Sequence, residues 1–264
     1  MSLRFCSFFS GSTGNCTYIE YNNSAILIDV GSSLKKLLIK LDEISANIKN
    51  IKGIFITHEH IDHISGLKAM VSKFQIPIIA NKNTLNEILS VFPDIETDLF
   101  IPLNTGDKAC AGEFEVNSFF TPHDSIESVG YTIDMGNKKI TVATDMGHIT
   151  DLFYLNSIKS DIVLIEANYD ELMLKNSSYH PTLKNRVSSS YGHLSNSDCA
   201  KAILKLFNNG TRKFVLAHLS KENNTPEIAL NTIHTELETM GIIPNRDIEL
   251  EIAPRLECSK IFSL

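Results

Sequence analysis

Between Ile56 and Leu67 the chain reads ITHEHIDHISGL, with three histidines and two acids in the six residues from His58 to His63. Imidazole and carboxylate together are the side chains that hold zinc, manganese or iron. With 9 His in 264 residues, the pattern His-x-His-x-Asp-His arises by chance in roughly one such chain in two thousand. In an extended segment, positions two apart share a side, so His58 and His60 converge on one point. A helix starting nearby turns Asp62 and His63 toward a neighbouring one. One short segment can therefore serve two ions. Further ligands are best sought at strand ends, where rigid elements hold them accurately. Three polar residues close apolar runs: His123 in SFFTPHDS, Asp145 in ITVATDMGH and His218 in FVLAHLSKE. The set is then five histidines and two aspartates, and Asp145 can lend one oxygen to each of two ions. A histidine of this kind alone is more often a core or surface group. The joint occurrence in this order points to metal. His148, His180 and His234 fit no ligand position.

The elements that must position these residues begin with strands. LRFCSF, CTYIEY and SAILIDV are β-branched or aromatic runs, the last two joined by a hairpin turn at Asn22-Asn23. LKKLLIKLDEI has helical spacing, and IKGIFIT is a short buried strand whose end delivers the histidine cluster. Ile64, Leu67, Met70, Val71 and Phe74 recur every three or four residues, which predicts one helix beginning at or just after Asp62-His63. IPIIA returns as a strand, FEVNSFF leads to His123, and SVGYTIDM pairs with KKITVAT across Gly136-Asn137. DIVLIEAN, KFVLAHL and IELEIA are interleaved with helical runs at 197–207 and 227–240. Antiparallel hairpins mixed with βα units predict an α/β protein of two mixed sheets packed face to face, helices outside. No linker, charge block or repeat divides the chain, so one domain over 1–264 is expected.

Composition narrows the function classes. A hydrophobic content of 43% supports a large core. No apolar run approaches the length of a membrane span, and the opening MSLRFCSFFSGSTGNC has too short an apolar segment for a signal peptide, so a cytoplasmic location is expected. Cys6, Cys16, Cys110, Cys199 and Cys258 are scattered, with no Cys-x-x-Cys, which predicts reduced thiols. A formal charge of −7 excludes indiscriminate coating of nucleic acid but not a local basic patch.

The seven-residue set, His58, His60, Asp62, His63, His123, Asp145 and His218, resembles the pattern of the metallo-β-lactamase fold superfamily, and the likeness covers nearly the whole chain. The resemblance implies an αββα sandwich. It places His58, His60 and His123 on one ion, Asp62, His63 and His218 on a second, and Asp145 between them. Zinc is the first expectation, with manganese or iron as alternatives. It also implies that Asp29, ending SAILID, holds a ligand histidine by hydrogen bond; closing a turn is the simpler alternative. SGSTGN, IEANYD, GHLSN and LAHLSKENNTPEIA are similar to the YycJ (WalJ) group of that superfamily. Glu166-Ala167 and Gly192-His193 resemble motifs of ribonuclease Z-like phosphodiesterases, in which a Glu-His pair protonates the leaving oxygen. The alternative for Gly192-His193 is a turn before a helix capped by Asn196 or Ser197. Catalytic roles thus fall on Asp62, His193 and Glu166.

The function implied by the resemblance is a binuclear metal-dependent hydrolase. Its expected form is a phosphodiesterase or nuclease acting on nucleic acid, specifically a 5′-to-3′ DNA exonuclease. A β-lactamase of this fold commonly has Cys where this chain has Asp145. A glyoxalase II-like thioesterase shares all seven ligands but carries an added C-terminal domain, and a non-catalytic metal-binding regulatory protein is the other alternative. The 72 residues between Asp145 and His218 leave no room for the inserted cap of the β-CASP nucleases. Lys184, Arg186, Lys201, Lys205, Arg212 and Lys213 are either a phosphate track or a solvated surface.

Overall fold

The computed structural model describes residues 3–263. Along the chain run β1 (Leu3–Phe9), β2 (Cys16–Tyr21), β3 (Ser24–Ile28), α1 (Leu34–Glu43), β4 (Ile51–Phe55), α2 (Ile61–Ile64), α3 (Leu67–Phe74), β5 (Ile78–Ala80), α4 (Lys82–Val91) and β6 (Phe100–Pro102). There follow β7 (Lys108–Ala111), β8 (Phe114–Phe120), β9 (Val129–Met135), β10 (Lys138–Ala143), α5 (Asp151–Ser157), β11 (Ile162–Glu166), α6 (Glu171–Asn176) and α7 (Pro181–Val187). The chain ends in α8 (Asn196–Asn208), β12 (Lys213–Ala217), α9 (Pro226–Thr239), β13 (Glu249–Ile252) and β14 (Phe262–Ser263). The strands form two seven-stranded sheets, in the orders β14-β1-β2-β3-β4-β5-β6 and β13-β12-β11-β10-β9-β8-β7. Both are mixed, as expected: β1 to β3 pair antiparallel and β3 to β6 parallel, while β9-β10 is antiparallel and β10 to β13 parallel. Asn22 and Asn23 both take positive φ, 49° and 64°, as a two-residue hairpin turn demands.

Contacts gather the chain into two compact units, residues 1–118 with 125–129 and 253–264, and residues 119–124 with 130–252. The first unit buries Phe8 stacked on Tyr18, together with Leu27, Ile54, Ile56, Leu67 and Met70. The second buries Phe153, Ile165, Ile203, Phe214, Leu216 and Ile233. Small α5, α6 and α7 escaped the sequence reading because six or seven residues are too few for a period to register.

Two local differences from the sequence expectation have clear causes. The single helix expected after His63 is two, α2 and α3, and it begins earlier, at Ile61. Gly66 separates them because the chain there lies against the turn after β3: a Cβ on Gly66 would stand 2.0 Å from the Ser32 carbonyl oxygen. The cap of α8 is Ser195, whose hydroxyl accepts from the Asp198 amide. Asn196 is instead buried in a side-chain pair with Asn224, at 2.9–3.0 Å.

The same turn after β3 sets the position of α2. Asn15 N donates to the Asp62 carbonyl, Val30 N to the His63 carbonyl and Gly66 N to the Val30 carbonyl. A Cβ on Gly31 would fall 1.6 Å from the Asp62 carbonyl oxygen, so only glycine lets the two backbones meet. Gly31→Ala therefore pushes α2 outward, at a cost of about 1–3 kcal/mol for overpacking. Calorimetry should show a lower melting midpoint, and elemental analysis a loss of metal, because the candidate ligands Asp62 and His63 move with the helix.

Candidate metal centre

In the first unit β4 runs straight into Thr57 and His58, and the short helix α2 carries Asp62 and His63. Asp29 follows the last residue of β3 with φ of 62°, a left-handed conformation that aspartate tolerates better than most residues. Its buried carboxylate accepts from Thr57 N at 2.8 Å through Oδ1, and from Thr57 Oγ1 at 2.9 Å and His63 Nδ1 at 2.7 Å through Oδ2. With its proton donated to Asp29, Asp29 fixes the His63 tautomer and leaves a lone pair on Nε2. The Thr57 hydroxyl, donating to Asp29, accepts from His58 Nδ1 at 3.0 Å, which fixes His58 in the same way. Asp29 does more than close a turn: it holds a candidate ligand histidine, as the resemblance implies.

The donor atoms fit a divalent ion. His58 Nε2 and His60 Nδ1 face one another at 3.1 Å. Two nitrogens on one tetrahedral ion, each about 2.0–2.1 Å from it, stand roughly 3.3 Å apart. His63 Nε2 and Asp62 Oδ2 are 3.7 Å apart, with the Asn15 side-chain amide 3.0 Å from the nitrogen and 3.2 Å from the oxygen. Asn15 and Thr57 were not singled out by type or spacing. Asn15 ends the SGSTGN loop, and its Oδ1 also accepts from Gly11 N at 2.9 Å.

In the second unit three strands end at candidate residues. Asp145 and His218 follow β10 and β12 with φ of 56° and 57°, and Glu166 is the last residue of β11. Glu166 is fully buried, and four donors converge on it. Its Oε1 accepts from His193 Nδ1 and His218 Nδ1, both at 2.8 Å; its Oε2 accepts from the backbone amides of Met146 at 2.8 Å and Leu194 at 3.2 Å. Burial alone would raise the Glu166 pKa, but the His193 charge and the imidazole hydrogen bonds outweigh it and hold the carboxyl below its usual range. His123 Nδ1 donates to the Gly192 carbonyl at 3.0 Å, which turns Nε2 toward Asp145 Oδ1 at 3.7 Å. Burial pushes the His123 pKa down, favouring the neutral ring that a metal ligand must be. Asp145, Glu166, His193 and His218 bring ligand-type atoms within 4.8 Å of one another. Asn168 steadies His218 by donating to its carbonyl at 2.7 Å.

His148, His180 and the six basic residues behave otherwise. His148 and His180 are exposed, and the His180 side chain accepts from the amide of Thr182 at the start of α7. Arg186 pairs with Asp124, Lys201 with Asp198 and Lys213 with Glu249. Lys205 lies over the Tyr154 ring, Arg212 over Phe207, and Lys184 donates to the Lys175 carbonyl. Each of the six has a partner within the second unit.

Residues 10–218 match the family model described as the metallo-beta-lactamase superfamily. The chain belongs to the metallo-beta-lactamase superfamily. It is 34% identical over 241 residues to the exodeoxyribonuclease YycJ of Bacillus anthracis, covering 91% of each chain. It is 35% identical over 230 residues to the exodeoxyribonuclease WalJ of Streptococcus pneumoniae serotype 2, covering 86% of each. Among solved structures, it resembles the metallo-beta-lactamase fold protein YhfI of Bacillus subtilis, with a TM-score of 0.75 at 15% identity over 100% of this chain and 99% of that one. Membership of this superfamily makes the chain a metal-dependent hydrolase, and its His/Asp clusters are of the kind that hold divalent ions. Among the described residues no helix is long and apolar enough to cross a membrane.

The sequence assigned Glu166 to His193 alone, whereas its Oε1 also orients His218. Glu166→Ala removes the acceptor for two buried imidazole N–H groups and two amides. It should cost about 3–5 kcal/mol by denaturant unfolding and weaken metal binding about 10- to 100-fold, as loss of a ligand's supporting partner does. A metal titration that matched wild type would show that His218 is not a ligand.

Proposed function

We propose that the chain is a phosphodiesterase acting on nucleic acid, a nuclease whose specific form is a 5′-to-3′ DNA exonuclease. The reading takes His58, His60 and His123 as ligands of one divalent ion, Asp62, His63 and His218 as ligands of a second, and Asp145 as shared. Zinc is the first candidate and manganese or iron the alternatives. It treats 1–264 as one functional domain, since the chain passes between its two units four times without a linker. Its five cysteines are free thiols, in keeping with a cytoplasmic location. When bound, divalent ions supply an activated water and neutralise phosphate charge.

The observation that carries the reading is the hydrogen bond of His193 Nδ1 to Glu166 at 2.8 Å. It spends one ring nitrogen on orientation and leaves Nε2 to carry a proton. The His193 side chain is 18% exposed, buried enough to be held and open enough to reach a substrate. A sugar oxygen is a poor leaving group and needs that proton as the bond to phosphorus breaks, whereas p-nitrophenolate departs unaided. Asp62, partly exposed and held by Asn15, is assigned the complementary role of orienting the attacking water. The similarity to proteins named exodeoxyribonuclease supports the same assignment.

A general acid typically contributes about 10²- to 10⁴-fold. His193→Ala should therefore slow DNA cleavage by that range, keep the wild-type metal content of two equivalents, and barely slow hydrolysis of a p-nitrophenyl diester. Parallel assays with a glutathione thioester and a β-lactam should give lower rates than the diesters. Equal slowing of both diesters, or loss of an ion, would make His193 a structural residue or a ligand. A thioester preferred by a wide factor would replace the phosphodiesterase reading with a thioesterase.

A further inference from the structure

The turn that carries His193 also presents an aromatic ring that neither the core nor the metal ligands use. Tyr191 is 55% exposed, yet its backbone is fixed on every side. The chain leaves α7 at Val187 and doubles back: Gly192 N donates to the Ser189 carbonyl and His193 N to the Val187 carbonyl. A Cβ on Gly192 would stand 2.2 Å from the Arg186 carbonyl oxygen. From the other side a Cβ on Gly147 would lie 2.3 Å from the Ser190 carbonyl oxygen, and His148 Nδ1 donates to that same oxygen at 2.9 Å. Ser188 and Ser189 turn their hydroxyls back onto the Lys184 and Arg186 carbonyls. Beneath them Tyr169, Leu174 and Val187 form a small apolar cluster of their own. A large ring held in water on so constrained a backbone loses little entropy when a ligand covers it. Two residues span at most about 7 Å, so Tyr191 stands within one nucleotide of the imidazole that serves the leaving oxygen.

We propose that Tyr191 is a stacking platform for the base of the nucleotide that carries the leaving oxygen. The proposal rests on the assignment of His193 as general acid to a nucleic-acid diester. It identifies the substrate feature that the turn recognises: an unpaired nucleobase, of any sequence, since every base offers a face to stack on.

The test uses the metal-loaded protein as wild type, Tyr191→Ala, Tyr191→Phe and Tyr191→Trp, with melting midpoints recorded for each. The substrates are single-stranded DNA and the matched RNA, each intact or abasic at the nucleotide that carries the leaving oxygen. Stacking on one aromatic residue is worth roughly tenfold or more in binding, so Tyr191→Ala should raise KM on the intact strand by about that factor while kcat changes little. Tyr191→Phe and Tyr191→Trp should restore it. On the abasic strand wild-type KM should rise to the level of Tyr191→Ala, and the difference between the two should vanish. A response on DNA, on RNA or on both supports the platform and names the strand it seats. An equal KM penalty on intact and abasic strands, or a Tyr191→Phe as weak as Tyr191→Ala, overturns it. A wild type that cleaves neither strand overturns the nuclease reading itself, and is distinguished because no variant ratio then exists to compare.

Discussion

A buried carboxylate is tolerable only when its oxygens are fully employed, and the second unit is organised around that requirement at Glu166. Leaving such a charge without partners costs several kcal/mol. Here two imidazoles and two amides share it, drawn from the ends of β10 and β12 and from the turn before α8. Because one oxygen serves both His193 and His218, any movement of one ring is felt by the other. The proposed proton donor and the candidate ligand therefore share one support.

Asp29 plays the corresponding part in the first unit, taking the Nδ1 proton of His63 directly and that of His58 through the Thr57 hydroxyl. In each unit an acid that ends or follows a strand chooses the tautomer of its histidines. A carboxylate engaged with Nδ1 leaves Nε2 as the nitrogen that faces outward, whether its task is to meet an ion or to carry a proton. Gly31 completes the first of them by letting α2 approach the turn after β3 more closely than any side chain would allow.

Much of this was legible in the sequence. The histidine cluster, the three later strand-end residues, the two mixed sheets and the Asn22-Asn23 hairpin all follow from local patterns. Asn15, Thr57 and Asn168 were missed because the partners that give them a role, His63 and Asp62, Asp29, and His218, lie 28 to 50 residues away in the chain, and no local period ties them together. The second role of Glu166 was missed for the same reason, since nothing in the local sequence ties it to a histidine 52 residues away. The break between α2 and α3 was hidden because the apolar period continues through Gly66. What divides the helix is the closeness of another backbone, and a pattern of side chains does not record it.

Asp29, Asp145 and His218 share a feature beyond their chemistry: each turns the chain into the left-handed region just past a strand. For a side chain other than glycine that conformation costs about 1–2 kcal/mol, and asparagine, aspartate and histidine tolerate it best. The residues that suit the backbone at these places thus overlap with those that bind metal. Glycine would relax the backbone while discarding the carboxylate or imidazole. Each position is thus constrained twice, once by a backbone turn that few residues accept and once by the hydrogen bonds or charge that its side chain supplies.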